Sequence, residues 1–157
     1  MLENLPVPDF SAAATGGSTF KLSGHAGKLL VIYFYPKDDT PGCTTEGAAF
    51  RDLHGEFQAL GCSIFGVSRD SIASHEKFKA KMSFPFALLS DPDESVCNMF
   101  GVMKNKNMYG KQVRGVERST FLIDGKGVVR REWRGVKVPG HAEEVLAAVK
   151  ALGAPAA

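Results

Sequence analysis

The stretch best suited to chemistry is Pro36-Lys37-Asp38-Asp39-Thr40-Pro41-Gly42-Cys43. It follows an uninterrupted apolar run, Leu29 to Tyr35, and precedes a segment in which Phe50, Leu53, Phe57 and Leu60 recur at helical spacing. A buried strand therefore ends where a helix begins, an edge that ligands favour in α/β sheets. Thr40 suits the cap and Pro41 the first helical position, which leaves Cys43 in the first turn. Free amide hydrogens and the helix dipole converge there, and both favour a thiolate over a thiol. Full ionisation raises the nucleophile concentration only about 30-fold at neutral pH, worth about 2 kcal/mol. The remaining acceleration must come from holding the electrophile and stabilising its leaving group.

Spacing argues against several other chemistries. A thiol-disulfide oxidoreductase needs Cys-x-x-Cys, and Gly42-Cys43-Thr44-Thr45-Glu46 lacks the second thiol. An aspartate-based phosphatase needs two aspartates one residue apart, whereas Asp38 and Asp39 are adjacent and read as a polar loop. Gly27-Lys28 has no glycine at position 22 and is followed by leucine, so it is no phosphate loop. Cys43, Cys62 and Cys97, with His25, His54, His75 and His141, form no close ligand pairs of the kind zinc requires.

The elements that must position Cys43 follow from periodicity. Lys28 to Tyr35 and Ser63 to Val67 read as strands buried on both faces, and Phe86 to Leu89 as a short strand. Helices are expected over Cys43–Leu60, ended by Gly61, and over Ser71–Met82, stopped before Pro85. Asp91, Pro92 and Glu94 read as the start of a third helix. Thr120–Ile123 and Val128–Trp133 flank Asp124-Gly125-Lys126-Gly127 as a hairpin, and Pro139 opens a last helix. Ser11 to Ser18 reads as a small-residue surface loop. The order strand, helix, strand, helix, strand, helix, hairpin, helix implies a mixed central sheet flanked by helices, the thioredoxin-like α/β fold.

Pro36-x-x-x-Thr40-x-x-Cys43 resembles the active-site motif of the peroxiredoxins. The longer run Tyr33 to Glu46, with Phe50-Arg51-Asp52 behind it, is similar to the PrxQ branch, the bacterioferritin comigratory proteins. The likeness continues through Gly66-Val67-Ser68, Leu89-Ser90-Asp91, Glu117 to Asp124 and Val138 to Ala142, nearly the whole chain. It implies a thiol-dependent peroxidase that reduces hydrogen peroxide and organic hydroperoxides. In that reading Cys43 attacks the peroxide and becomes a sulfenic acid. Arg118 would stand beside the thiolate and bind the peroxide, Thr40 would hydrogen-bond it, Pro36 would shield the pocket and Glu46 would orient an arginine. Trp133, Arg134 and His141 match too and read as structural.

The chain departs from the family where a second, resolving cysteine is usual. Ala48 stands five residues after Cys43, and Ser71 to Met82 contains no cysteine. Cys62, at the start of a buried strand, reads as core; Cys97 lies on the flank of a helical face set by Val96, Met99 and Phe100. The leading expectation is a one-cysteine mechanism with an external thiol, thioredoxin or glutaredoxin with glutathione. The alternatives are a two-cysteine enzyme resolved by Cys97, which requires local unfolding around Cys43, and a peroxide sensor without turnover.

Length and composition agree. The 157 residues are expected to make one domain, with 1–4 and 154–157 as frayed ends. Nineteen basic against 17 acidic residues give a net charge of +2, too balanced to suggest nucleic acid or an anionic membrane. The longest apolar run is far short of a membrane span, and the N-terminus lacks the apolar core of a secretory signal. Three cysteines suit free thiols in a cytoplasmic setting rather than a disulfide scaffold. No cofactor is expected, and the family likeness suggests a monomer.

Overall fold

The computed structural model describes residues 2–153, excepting the side chains at 106 and 108. Its organising element is the strand β3 (Leu29–Phe34), whose last five residues are all buried. Alternation along it serves two cores: Val31 and Tyr33, with Tyr35 beyond, face one apolar cluster, while Leu30, Ile32 and Phe34 face another. Such a strand must lie centrally. It pairs in parallel with β4 (Cys62–Ser68) and antiparallel with β8 (Ser119–Ile123).

The seven-stranded sheet has the order β2-β1-β5-β4-β3-β8-β9, where β1 is Ser11–Ala14, β2 Ser18–Lys21, β5 Leu88–Ser90 and β9 Val129–Arg134. Helices α1 (Pro41–Ala59), α2 (Ile72–Met82) and α4 (His141–Gly153) supply the first cluster through Phe50, Phe57, Phe78, Val145 and Val149. The short α3 (Ser95–Met99) covers the other face with Val96, Cys97 and neighbouring Phe100. A separate two-stranded hairpin pairs β6 (Met103–Met108) with β7 (Lys111–Val116). The mixed sheet with flanking helices is the thioredoxin-like architecture expected from the sequence.

Four segments differ from expectation. Ser11–Ala14 is not loop but strand, held in register with Thr19 and Phe20 on one side and Ser90 on the other. Its alanines carried no strand signal, yet Ala14 is buried. Helix α3 begins at Ser95 rather than near Pro92, because Glu94 takes a left-handed φ of 64° and ends a turn instead. Asp91 still caps it from outside, accepting from the Val96 and Cys97 amides at 3.0 and 2.8 Å. The β6–β7 hairpin is too polar to have shown a buried face. Residues 2–4, expected to be loose, are bonded to β9: the Asn4 amide donates to the Val129 carbonyl at 2.7 Å. Residues 154–157 lie outside the described chain.

Gly47 on α1 is set by packing. A Cβ there would run into the ring of Phe84, which is itself buried and stacked on Phe86. Gly47→Ala is therefore expected to lower unfolding free energy by about 1–3 kcal/mol, the usual penalty of overpacking, in urea melts followed through Trp133.

Candidate active site

Thr40 occupies the N-cap of α1 in extended conformation, and Pro41 follows at the first helical position. Its hydroxyl does not cap the helix, however; it donates to the Lys37 carbonyl at 2.8 Å. That bond uses the only hydroxyl proton and leaves the oxygen lone pairs able to accept. Cys43 sits two residues into the helix beyond Pro41, 2 % exposed.

Arg118, just before β8, reaches this turn from 75 residues away. Its Nη2 donates to Cys43 Sγ at 3.4 Å and its Nη1 to Glu46 Oε1 at 2.7 Å. The planar guanidinium is thus fixed by a carboxylate on one nitrogen and a sulfur on the other. Gly42 makes room: a Cβ there would come within 3.0 Å of Nη2. Register explains the meeting, because Phe34 and Ser119 are paired across β3 and β8, so both chain segments leave the sheet at the same edge.

Glu46 is almost wholly buried, and its Oε2 has no hydrogen-bond partner. Burial pushes its carboxyl up to about 7, against the pull of Arg118. The adjacent carboxylate and thiol together raise Arg118 further, overcoming its own burial, so the guanidinium stays charged.

The sequence thus brings Thr40, Cys43, Glu46 and Arg118 to one turn, with half-buried Pro36 at the start of the same loop. Cys97 is elsewhere. It is fully buried in the cluster built on Leu30, Ile32 and Phe34, whereas Cys43 belongs to the cluster on the opposite face of β3. Burial first, then Asp91, drives its thiol well up. Cys62 shares Cys43's face but lies opposite Leu29, where β3 begins, while Cys43 lies beyond its end. Helix α1 separates the two by about 24 Å. Burial pushes the Cys62 thiol up to about 12. All three cysteines are free.

His141 packs as expected of a structural residue: it is buried, its Nε2 lies 2.8 Å from the Thr120 hydroxyl, and burial lowers its pKa. Periodicity missed His75, fully buried on α2, and the burial of Asp38. No short-range signal links residues 37 positions apart.

Among known proteins, the AhpC/TSA family model matches residues 4–132. The chain is 58% identical over 143 residues to peroxiredoxin Bcp of Xanthomonas campestris pv. campestris, covering 91% of this chain and 89% of the relative. It is 50% identical to peroxiredoxin Bcp of Bacillus subtilis, with 92% of each chain covered. Among solved structures, the Xanthomonas campestris bacterioferritin comigratory protein, studied for its alkyl peroxide reduction activity, superposes with a TM-score of 0.89 at 56% identity over 92% of each chain.

Proposed function

The chain belongs to the AhpC/TSA family, in its peroxiredoxin Bcp branch, and from that premise we propose that Cys43 is the thiolate with which this peroxidase reduces hydroperoxides. The observation that carries the assignment is the Arg118 guanidinium bridging Cys43 Sγ and Glu46 Oε1. The sulfur attacks the terminal peroxide oxygen; an S–O bond forms as the O–O bond breaks, and sulfur loses two electrons. The departing alkoxide takes a proton and leaves as alcohol, or as water from hydrogen peroxide. Negative charge moves from sulfur to the departing oxygen, and Arg118 lies beside both ends of that path. Thr40 Oγ1 accepts a hydrogen bond from the peroxide, since its own proton is committed to Lys37. Pro36 limits water at the mouth, which preserves these electrostatic interactions.

We infer a one-cysteine cycle. The sulfenic acid condenses with an external thiol, releasing water, and a second thiol displaces the mixed disulfide to restore Cys43. In the fold Cys97 faces the other side of the sheet, and Cys62 lies beside the start of β3 while Cys43 lies beyond its end, so neither thiol faces Cys43. Thioredoxin, or glutathione with glutaredoxin, is the proposed reductant, the enzyme a monomer and the cytoplasm its compartment. Three free thiols suit reducing conditions. No helix among the described residues is long and apolar enough to cross a membrane. Because Cys43 is buried, reduction requires the first turn of α1 to open.

The test is one equivalent of hydrogen peroxide on reduced protein, a sulfenic-acid trap, and peptide mapping without reductant. The expected result is the trapped acid on Cys43 with Cys62 and Cys97 still thiols. Cys97→Ser is expected to keep steady-state turnover within about twofold. A Cys43–Cys97 disulfide, or loss of turnover in Cys97→Ser with Cys43 oxidation intact, would replace the one-cysteine cycle by the two-cysteine one. Oxidation of Cys43 without turnover under any thiol reductant would make the protein a sensor, and an unreactive Cys43 would overturn the assignment.

A further inference from the structure

Six residues, 35–40, connect β3 to α1 and carry Pro36 and Thr40. Apart from Tyr35 itself, the buried one is Asp38, a carboxylate with a side chain 3% exposed. A buried carboxylate is costly unless every lone pair is used, and an apolar residue would serve stability alone at lower cost. Here the bonds come from three directions. Tyr35 Oη donates to Oδ1 at 2.6 Å; Ser74 Oγ donates to Oδ2 at 2.8 Å; His75 Nδ1 lies 2.6 Å from Oδ2. The Asp38 amide donates to Asp70 Oδ2 at 2.9 Å.

His75, fully buried, spans two elements. Its Nε2 donates to the Leu89 carbonyl of β5 at 2.8 Å, and its Nδ1 faces the Asp38 carboxyl, so both ring nitrogens are engaged. Asp38, Asp70 and His75 lie close enough together to suggest a cation site. Their facing atoms are already engaged: His75 Nδ1 by Asp38, His75 Nε2 by the Leu89 carbonyl, and Asp70 Oδ2 by the Ser68 hydroxyl and the Asp38 amide. The cluster is therefore a tether, not a metal site. Burial acts to raise the Asp38 carboxyl, but the bonds from His75, Tyr35 and Ser74 hold it below the ordinary range.

The tether leads to the reacting atoms. Asp38 follows Lys37, whose carbonyl accepts the Thr40 hydroxyl proton. Thr40's carbonyl in turn accepts the Thr44 amide in the first turn of α1. Moving Asp38 moves the Lys37 carbonyl, frees the Thr40 hydroxyl to turn, and loosens Pro36 in the same loop. Arg118 and Glu46 are held independently, from β8 and α1.

We propose that His75 is a positioning residue for peroxide reduction, acting through Asp38 to fix the Pro36–Thr40 turn over Cys43. The inference rests on Cys43 being the peroxidatic thiol. It separates two reactions of the same sulfur. Alkylation by iodoacetamide requires only an ionised sulfur; attack on peroxide also requires Thr40 and Pro36 in place.

The experiment compares His75→Gln with wild type by stopped-flow oxidation with hydrogen peroxide, by iodoacetamide alkylation of Cys43 across pH, and by urea melting. Asp91→Asn is the control, because it disturbs a buried carboxylate that caps α3 on the other face of the sheet. The expected result is a loss of about tenfold or more in the peroxide rate, as misplacement by ~1 Å can cost up to ~10²-fold. Alkylation and its pH profile stay within about twofold. Asp91→Asn lowers the urea midpoint with both rates within about twofold. If His75→Gln does not fold, Ser74→Ala removes one Asp38 bond and is expected to give a smaller loss of the same selectivity. Peroxide and alkylation rates falling together, or an unchanged peroxide rate in a folded variant, would overturn the proposal. An unreactive Cys43 in wild type would instead remove the premise.

Discussion

Arg118→Ala is expected to slow oxidation of Cys43 by hydrogen peroxide about 10²- to 10³-fold, the usual cost of deleting one preorganised group that meets developing charge. Two losses combine. The Nη2 donor 3.4 Å from Cys43 Sγ disappears, and with it the fixed cation that receives charge as the O–O bond breaks. Glu46 is then left buried with neither oxygen paired, since Oε2 already has no partner. Arg118→Lys separates charge from geometry: an ammonium keeps the cation but cannot reach Sγ and Oε1 together as a planar fork does. It is expected to recover part of the rate. Stopped-flow oxidation in the absence of reductant isolates the step. An Arg118→Ala rate within about threefold of wild type, with the protein folded, would remove the guanidinium from the proposed mechanism.

The residues near Cys43 were legible because the chemistry is local in sequence. Thr40, Pro41 and Cys43 lie within the first turn of α1 and its cap, and a cap, a first-turn proline and an apolar repeat are short-range signals. Arg118 is different in kind. Nothing near it distinguishes an active-site arginine from a solvated one, and only its likeness to a known motif pointed to it. The structure supplies the cause, the Phe34–Ser119 register that brings the two chain segments to one sheet edge. What stayed hidden depends on long-range pairing. Ser11–Ala14 is a strand because β5 and β2 accept it, not because alanine favours the state. Cys97 could be placed on a helix but not on a face of the sheet, and that face decides whether it can meet Cys43. The Asp38–His75 pair is the extreme case, a polar loop residue made central by a histidine 37 positions on.

The arrangement that holds Arg118 has a cost that should appear in stability. Glu46 would titrate near 4.5 in the unfolded chain and at about 7 in the fold, chiefly because it is buried. Between those values the folded state binds more protons than the unfolded one, so stability is highest below about 4.5 and declines as pH rises through about 7. The difference of about 2.5 in pKa corresponds to on the order of 3 kcal/mol. Glu46→Gln keeps an oxygen able to accept from Arg118 but cannot ionise, so its stability is expected to lack this decline. Urea melts of both proteins at pH 5 and pH 8, with reductant present, measure the contrast. His141 titrates nearby with the opposite sign: burial lowers its pKa, so its contribution is lost on acidification, but it is common to both proteins. The wild type is expected to lose on the order of 2 to 3 kcal/mol more than Glu46→Gln between the two pH values, since part of the loss has already occurred at pH 5. Equal losses would mean that Glu46 is ionised throughout, with Arg118 fully compensating its burial. The predicted contrast would instead mean that, near neutral pH, the anchor of Arg118 is a carboxyl group close to half protonated, kept in place at the expense of stability.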